Sequence, residues 1–142
     1  MTLRDARDAL VTNRVLIVDD DADIRLLLWH LLRASGCEVV AAEHGSAALR
    51  RFGEALAAGF RPAFDLVLSD INMPGLSGLE LLAQLKRIDP AQRVMLVSAH
   101  CAEHTREIAL AAGAIAVIQK PLQLAALRDA VFAAVRDPIQ SP

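Results

Sequence analysis

Four apolar residues followed by three aspartates, VLIVDDD, occupy positions 15–21 of the chain. The apolar part, residues 15–18, has the length and the β-branched content of a buried strand. A strand that is apolar at every position fits a parallel sheet whose two faces are both covered. The three carboxylates then stand at the carboxyl end of this strand, where open α/β sheets bind their ligands. The stretch therefore predicts an α/β fold with a polar site at one edge of the sheet.

The rest of the chain repeats this alternation of strand and helix. Gly36, Gly59 and Gly113 follow helical patterns as C-terminal caps do, and Asp21 and Ser77 precede others as N-terminal caps do. Parallel neighbours need crossover connections, which are almost always right-handed. We therefore predict a doubly wound, five-stranded parallel sheet of (βα)5 type between two layers of helices. The further strands are predicted at residues 39–42, 66–68, 94–97 and 114–118, and the helices at residues 24–34, 47–58, 79–88, 103–112 and 122–135.

Composition and charge limit the function classes. The chain has 142 residues, 54% of them hydrophobic, and a net charge of -2 without a basic stripe, which argues against direct nucleic-acid binding. Its longest apolar stretch, residues 108–118, is about half of the ~20 residues that a membrane-spanning helix needs. Charges near the N-terminus argue against a secretory signal. We expect one cytoplasmic domain at residues 14–136, with an N-terminal extension at residues 1–13, a tail at residues 137–142 and no membrane contact.

Polar residues close four of the five predicted strands. Besides the first strand's aspartates, Asp70 closes the third strand, Ser98 the fourth and Lys120 the fifth, so these side chains should converge. Clustered carboxylates are unfavourable unless a cation lies between them, and a ligand set made only of oxygens favours Mg²⁺. An aspartate beside Mg²⁺, with an ammonium and a hydroxyl opposite, is able to attack phosphorus and become an aspartyl phosphate.

With these residues in their order, the chain resembles the receiver domain of bacterial two-component response regulators. The resemblance runs from about residue 14 to about residue 135. It implies a flavodoxin-like fold with strand order 2-1-3-4-5 and a cis peptide before Pro121. The motifs that carry it are VLIVDDD (15–21), LVLSDINMPGLSGLELL (66–82), VMLVSAH (94–100) and the KP pair (120–121).

The resemblance also implies a role for each polar residue. It implies three catalytic residues: Asp70 accepts the phosphoryl group, Ser98 turns its hydroxyl toward that group, and Lys120 pairs with one of its oxygens. Mg²⁺ is the implied cofactor. Its implied ligands are the carboxylates of Asp19, Asp20 and Asp70 and the backbone carbonyl of Asn72.

A signalling role follows from the same resemblance. A phosphohistidine of a histidine kinase or of a phosphotransfer protein is the implied donor, and the domain is expected to remove the phosphoryl group by its own autodephosphorylation. Rather than acting as an ordinary enzyme, it would switch contacts with a downstream protein target. We expect a stand-alone regulator similar to those of chemotaxis, or a piece of a longer regulator or hybrid kinase, acting as a monomer or weak dimer.

Two positions depart from the family pattern. The family usually has Tyr or Phe three residues before the lysine, where this chain has Val117, and the chain contains no tyrosine. It often has Phe directly after the KP pair, where this chain has Leu122. A ring that moves as the Ser98 hydroxyl shifts is therefore missing from its usual position.

Two alternatives of other classes share part of this pattern. A haloacid-dehalogenase-like phosphatase also forms an aspartyl phosphate with Mg²⁺ on an α/β sheet, but its D-x-D-x-T/V motif would place Thr or Val where Asp23 stands, and no cap insert is present. A phosphorylation-independent pseudo-receiver would use the same fold purely for binding. Turnover of small phosphate esters would support the phosphatase, whereas one covalent phosphoryl group on Asp70 would support the receiver.

Overall fold

A computed structural model describes residues 13–100 and 102–136 of the chain. These residues form one sheet of five parallel strands in the order β2-β1-β3-β4-β5, which confirms the predicted doubly wound, flavodoxin-like topology. The strands are β1 (Arg14–Val18), β2 (Glu38–Ala42), β3 (Leu66–Asp70), β4 (Val94–Ser98) and β5 (Ala116–Gln119), and the helices are α1 (Ala22–Ala34), α2 (Gly45–Ala57), α3 (Gly78–Ile88), α4 (Glu103–Ala111) and α5 (Leu124–Arg136).

The core consists of two apolar clusters, one on each face of the sheet. Successive side chains of a strand point to opposite faces, so Leu16 and Val18 join one cluster while Val15 and Ile17 join the other. Helices α2, α3 and α4 supply the first cluster, and α1 and α5 supply the second. Both faces of β1 are therefore buried, as its continuous apolar sequence requires.

The strand register brings the polar strand ends to one edge. Val18 of β1 pairs with Ser69 of β3, and Asp70 of β3 pairs with Val97 of β4. Asp19, Asp70 and Ser98 consequently lie at the same level, within one residue of one another along their strands. Ser98 pairs with Gln119 of β5, so Lys120, the next residue of the chain, also lies near that level.

The predicted helix caps are confirmed. Gly36, Gly59 and Gly113 have φ values of 93°, 97° and 108°, a region that favours glycine. The Asp21 carboxylate accepts hydrogen bonds from the first turn of α1, and Ser77 forms a capping box with Glu80. The peptide before Pro121 is cis, as the resemblance implied.

Five predicted boundaries are wrong by two residues. Helix α1 begins at Ala22 rather than at residue 24, β3 ends at Asp70 rather than at residue 68, and α5 begins at Leu124 rather than at residue 122. The starts of β5 and α2 are the other two.

The fifth strand begins at Ala116 rather than at residue 114, because the amide of Ala114 donates to the carbonyl of Ala109 and so completes the end of α4. Helix α2 begins at Gly45 rather than at residue 47, since Nδ1 of His44 accepts a hydrogen bond from the amide of Ala47 and serves as the cap. Histidine is an unusual cap, so local sequence patterns do not predict one there.

Helix α1 has a wider apolar surface than its packing needs. Leu28 and Leu32 are buried, whereas Leu26 and Leu27 are 57% and 44% exposed.

None of the described helices is long and apolar enough to span a membrane. Residues 1–12 and 137–142 lie outside the described part of the chain, so the predicted extension and tail stay predictions, as does the domain boundary at 14–136.

Candidate functional site

The predicted site residues meet at the carboxyl edge of the sheet. Asp19 directly follows β1, Asp70 ends β3 and Ser98 ends β4, and all three are almost completely buried, at 2%, 6% and 1% exposure. Asp20, the next residue after Asp19, is exposed. Three buried polar side chains at the end of an apolar sheet need partners, because burying a charge or hydroxyl without one is costly.

Lys120 supplies the counter-charge. Its Nζ lies 3.3 Å from Oδ2 of Asp19 and 3.2 Å from Oδ2 of Asp70, and its side chain is 17% exposed. The other oxygen of each carboxylate is held by the backbone: Oδ1 of Asp19 accepts from the amide of Asp21 at 2.9 Å, and Oδ1 of Asp70 accepts from the amide of Asn72 at 3.2 Å. Both carboxylates are thereby fixed in orientation before any ligand arrives.

The electrostatics of the site follow from burial and charge pairing. Burial raises the pKa of Asp19, and the nearby charge of Asp70 raises it further, against the opposing effect of Lys120 and a backbone hydrogen bond. Burial alone would lower the pKa of Lys120, but the two carboxylates outweigh it and the net shift is upward. Lys120 is therefore held as a cation at neutral pH.

The carboxylates also form a group that fits a divalent cation. Asp19, Asp20 and Asp70 each offer a carboxylate oxygen, and these oxygens lie within 4.8 Å of one another. All the donors are oxygens, and the exposed Asp20 leaves one side open to water, as suits a Mg²⁺ ion that keeps several water ligands. Asn72 is placed next to Asp70 by its amide, but the proposed use of its carbonyl as a further ligand stays a prediction.

Ser98 connects the site to the loop that follows β4. Its hydroxyl oxygen accepts a hydrogen bond from the amide of His100 at 3.2 Å. The side chain is buried, and it stands one residue beyond Val97, the register partner of Asp70. The hydroxyl at this place is able to donate its hydrogen to an oxygen that arrives on Asp70, and turning toward that oxygen would release the amide of His100.

Two residues of the site were not predicted from the sequence. Arg25 of α1 donates from Nη1 to the carbonyl of Asp19 at 2.8 Å and so fixes the backbone of the acidic loop. Gly78, the first residue of α3, lies so close to the acceptor strand that a Cβ there would stand 2.2 Å from the carbonyl oxygen of Asp70. The signal for Gly78 was a glycine directly after a helix cap, where a better helix former is expected.

Two grooves flank the site. The first is largely apolar and lies between α1 and the loop that follows β5. It is lined by Ile24, Leu27, Ala99, Lys120, Pro121 and Leu122. The second lies between the loop that follows β3 and the start of α4. It is lined by Ile71, Asn72, Met73, Ser77, Leu79 and Thr105.

Comparisons with known proteins agree with this geometry. The family model described as "Response regulator receiver domain" matches residues 15–132. A response regulator receiver protein of Anaeromyxobacter sp. (strain Fw109-5) is 40% identical over 116 residues, covering 82% of this chain and 46% of that protein. The chemotaxis protein CheY of Bacillus subtilis (strain 168) is 35% identical over 122 residues, covering 85% of this chain and 96% of that protein. The chain thus spans about half the length of the first relative and nearly all of the second.

The fold has close counterparts among solved structures. The crystal structure of the CheX-CheY-BeF3-Mg²⁺ complex from Borrelia burgdorferi contains a chain that superimposes with a TM-score of 0.83 at 27% identity, covering 92% of this chain and 95% of that one. A CheY-like receiver domain protein from Methanospirillum hungatei JF-1 superimposes with a TM-score of 0.79 at 29% identity, covering 88% of this chain and 94% of that one.

Proposed function

The chain belongs to the response regulator receiver domain family of two-component signalling, and from that membership we propose that Asp70 accepts a phosphoryl group from a phosphohistidine. The observation that carries the proposal is the contact of Lys120 with both Asp70 and Asp19 in a buried, pre-oriented cluster. Such a cluster has the nucleophile, the counter-charge and the oxygen ligands that phosphoryl transfer to a carboxylate needs.

In the proposed reaction, one carboxylate oxygen of Asp70 attacks the phosphorus in line with the bond to the donor's imidazole nitrogen. The new O–P bond forms as the P–N bond breaks, and the electron pair of that bond stays on the imidazole, which takes up a proton. The ammonium of Lys120, 3.2 Å from Asp70, is already in place to pair with an oxygen of the transferred group. The chain's own residues therefore contribute to the transfer by position and charge.

Mg²⁺ is the proposed cofactor, and it would be held by Asp19, Asp20 and Asp70, with the carbonyl of Asn72 as a further ligand. When bound, the ion neutralises the negative charge that the phosphoryl oxygens bring to the acidic cluster. The fit rests on the carboxylate oxygens that lie within 4.8 Å of one another. Asp19 keeps the hydrogen bond from the amide of Asp21 to Oδ1, so Oδ2, which contacts Lys120, stays oriented toward the cluster.

The proposed response to phosphorylation begins at Ser98 and Lys120. The Ser98 hydroxyl leaves the amide of His100 and bonds to a phosphoryl oxygen, which moves the loop before α4. Lys120 follows its new partner at the end of β5. The charge thereby biases an existing equilibrium of the loops and of α4. Loss of the group to water, the autodephosphorylation expected from the sequence, would return the domain to its starting state.

The proposed partners are a histidine kinase or phosphotransfer protein as donor and a downstream protein as target. A donor must bring its phosphorus to Asp70, so its surface has to lie against the rim of the site. There the apolar groove beside α1 exposes Leu27 next to Lys120, which suits an apolar helical partner. The cytoplasmic location and the monomeric or weakly dimeric state predicted from the sequence remain part of this proposal.

The comparisons separate the two alternatives, the phosphatase and the phosphorylation-independent receiver. Neither the family match nor the structural neighbours give support to a haloacid-dehalogenase-like phosphatase. A receiver that works without phosphorylation shares the same fold, so chemistry rather than shape has to distinguish it from the proposed function.

A phosphohistidine-like donor provides the distinguishing test. We expect phosphoramidate, which carries a P–N bond, to add one phosphoryl group in the presence of Mg²⁺. Reduction with borohydride converts an acyl phosphate of aspartate to homoserine, and peptide mapping should then find homoserine at position 70. Homoserine at another position would overturn the assignment of Asp70, and the absence of any product would favour the phosphorylation-independent receiver.

A further inference from the structure

Helix α4 is weakly attached to the rest of the domain. Of its residues 103–111, all of which the structure describes, only Ala109 is buried. Its first turn receives no hydrogen bond from a capping side chain among the described residues. Ile108 and Leu110 are exposed although they are apolar. A helix with so little buried surface depends on individual polar contacts for its position.

One such contact joins the first turn of α4 to the sheet. Arg106 donates from Nη1 to the backbone carbonyl of Val117 at 3.1 Å. Val117 belongs to β5, which is an edge strand of the described sheet, so its outer carbonyl groups have no neighbouring strand among the described residues to bond them. Arg106 therefore satisfies a carbonyl of the sheet edge and at the same time ties the helix to it.

Both ends of this contact lead back to the phosphoacceptor. On the helix side, α4 begins a few residues after Ser98, whose hydroxyl oxygen accepts a hydrogen bond from the amide of His100. On the strand side, Val117 stands three residues before Lys120, which contacts Asp70. Position 117 carries a small buried side chain here, so no ring links β5 to α4 at this point.

We propose that Arg106 is a positioning residue, which holds the first turn of α4 against β5 and transmits phosphorylation of Asp70 to α4. The second half of this inference rests on the proposed function, whereas the first half concerns the unphosphorylated domain alone. A movement of Ser98 or of Lys120 changes the separation of the two partners, so the hydrogen bond weakens and α4 opens more often.

Hydrogen exchange of the α4 amides tests both halves. The variants are Arg106→Ala, Arg106→Lys and, as a control, Arg87→Ala. Arg87 is an exposed arginine of α3 whose side chain makes no hydrogen bond or ion pair with the described residues. Without ligand, we expect Arg106→Ala to speed exchange across α4 about fivefold, Arg106→Lys to have an intermediate effect, and Arg87→Ala to have none. Equal exchange in Arg106→Ala and Arg87→Ala would overturn the proposal that Arg106 holds α4 against β5.

The same peptides are then measured with beryllofluoride and Mg²⁺, which mimic the phosphoryl group. We expect beryllofluoride to change the exchange of α4 in the wild type and to change it less than half as much in Arg106→Ala, while protection of residues 71–77 shows that the ion still binds. If beryllofluoride changes the exchange of α4 as much in Arg106→Ala as in the wild type, Arg106 does not transmit phosphorylation to α4. Failure of the wild type to protect residues 71–77 would count against the proposed function and against the transmission of phosphorylation through Arg106. The comparison without ligand would still decide whether Arg106 holds α4 against β5.

Discussion

The ammonium of Lys120 lies 3.2 Å from a carboxylate oxygen of Asp70, although 50 residues separate the two along the chain. The same ammonium lies 3.3 Å from Asp19, so a single cation serves two buried carboxylates. This arrangement links stability to function, because the charge that stabilises the two carboxylates is also the one that would pair with a transferred phosphoryl group.

Replacing Lys120 by Ala should destabilise the domain. Asp19 and Asp70 would stay buried without their cation, and we expect the free energy of unfolding at neutral pH to fall by about 1 to 3 kcal/mol. Lower pH should reduce this loss, because the pKa of Asp19 is already raised and protonation removes the unpaired charge. Urea unfolding at neutral and at mildly acidic pH measures both effects.

Lys86→Ala is the matched control for this substitution, since Lys86 is the other lysine of the chain and bonds only to a nearby carbonyl, that of Pro90, among the described residues. Lys120→Ala should also keep some phosphorylation while losing most of the response of α4. An unfolding free energy equal to that of Lys86→Ala would show that the two contacts of Lys120 contribute little.

Gly78→Ala should damage the acceptor strand. The new Cβ would stand 2.2 Å from the carbonyl oxygen of Asp70 and 2.7 Å from the Cα of Ile71, and both are backbone atoms that cannot move aside cheaply. We expect a loss of about 2 kcal/mol or more in unfolding free energy and slower phosphorylation by acetyl phosphate.

Gly53→Ala provides the contrast within the same protein. Gly53 lies inside α2, and a Cβ there meets no atom within 4 Å, so the substitution should stabilise the domain by about 0.5 to 1 kcal/mol. Thermal unfolding of both variants side by side measures the difference. A Gly78→Ala protein as stable as Gly53→Ala would show that the strand end has room to adjust.

Cys37 should be an unreactive thiol. The side chain is buried, and burial together with the charge of Asp65 raises its pKa, so little of the reactive thiolate is present near neutral pH. In a Cys101→Ser background, iodoacetamide should label the folded protein about 100-fold more slowly than the unfolded protein. Raising the pH should ease unfolding, because the unfolded thiol loses its proton first. Rapid labelling of the folded chain would contradict the burial of Cys37.

Much of the fold was predictable because its signals are local. Continuous apolar runs such as residues 15–18 indicate strands buried on both faces, and glycines such as Gly113 mark where helices end. The errors came from contacts that local patterns do not encode. His44 caps α2 because its ring nitrogen Nδ1 accepts a hydrogen bond from the amide of Ala47. Strand β5 begins later than predicted because the amide of Ala114 bonds to the carbonyl of Ala109 at the end of α4.

The site residues were predictable as a set, but their contacts were not. The end of each strand identified Asp19, Asp70, Ser98 and Lys120, since parallel strands bring their carboxyl ends together. The sequence did not reveal that one ammonium is shared by two carboxylates, because this depends on the rotamer of a long side chain. Arg25, Gly78 and Arg106 were missed for a similar reason, since each acts on a backbone group distant in sequence or on another element.

The proposed function depends on Asp70 as the acceptor of the phosphoryl group. Intact mass after incubation with acetyl phosphate, with Mg²⁺ or with a chelator, tests it most directly when wild type is compared with Asp70→Asn. We predict one added phosphoryl group that requires Mg²⁺ and is lost in Asp70→Asn, while the variant stays folded and at least as stable because a like-charge repulsion is relieved. A phosphoryl group that survives in Asp70→Asn, or none in the wild type under any condition, would show that Asp70 is not the phosphoacceptor.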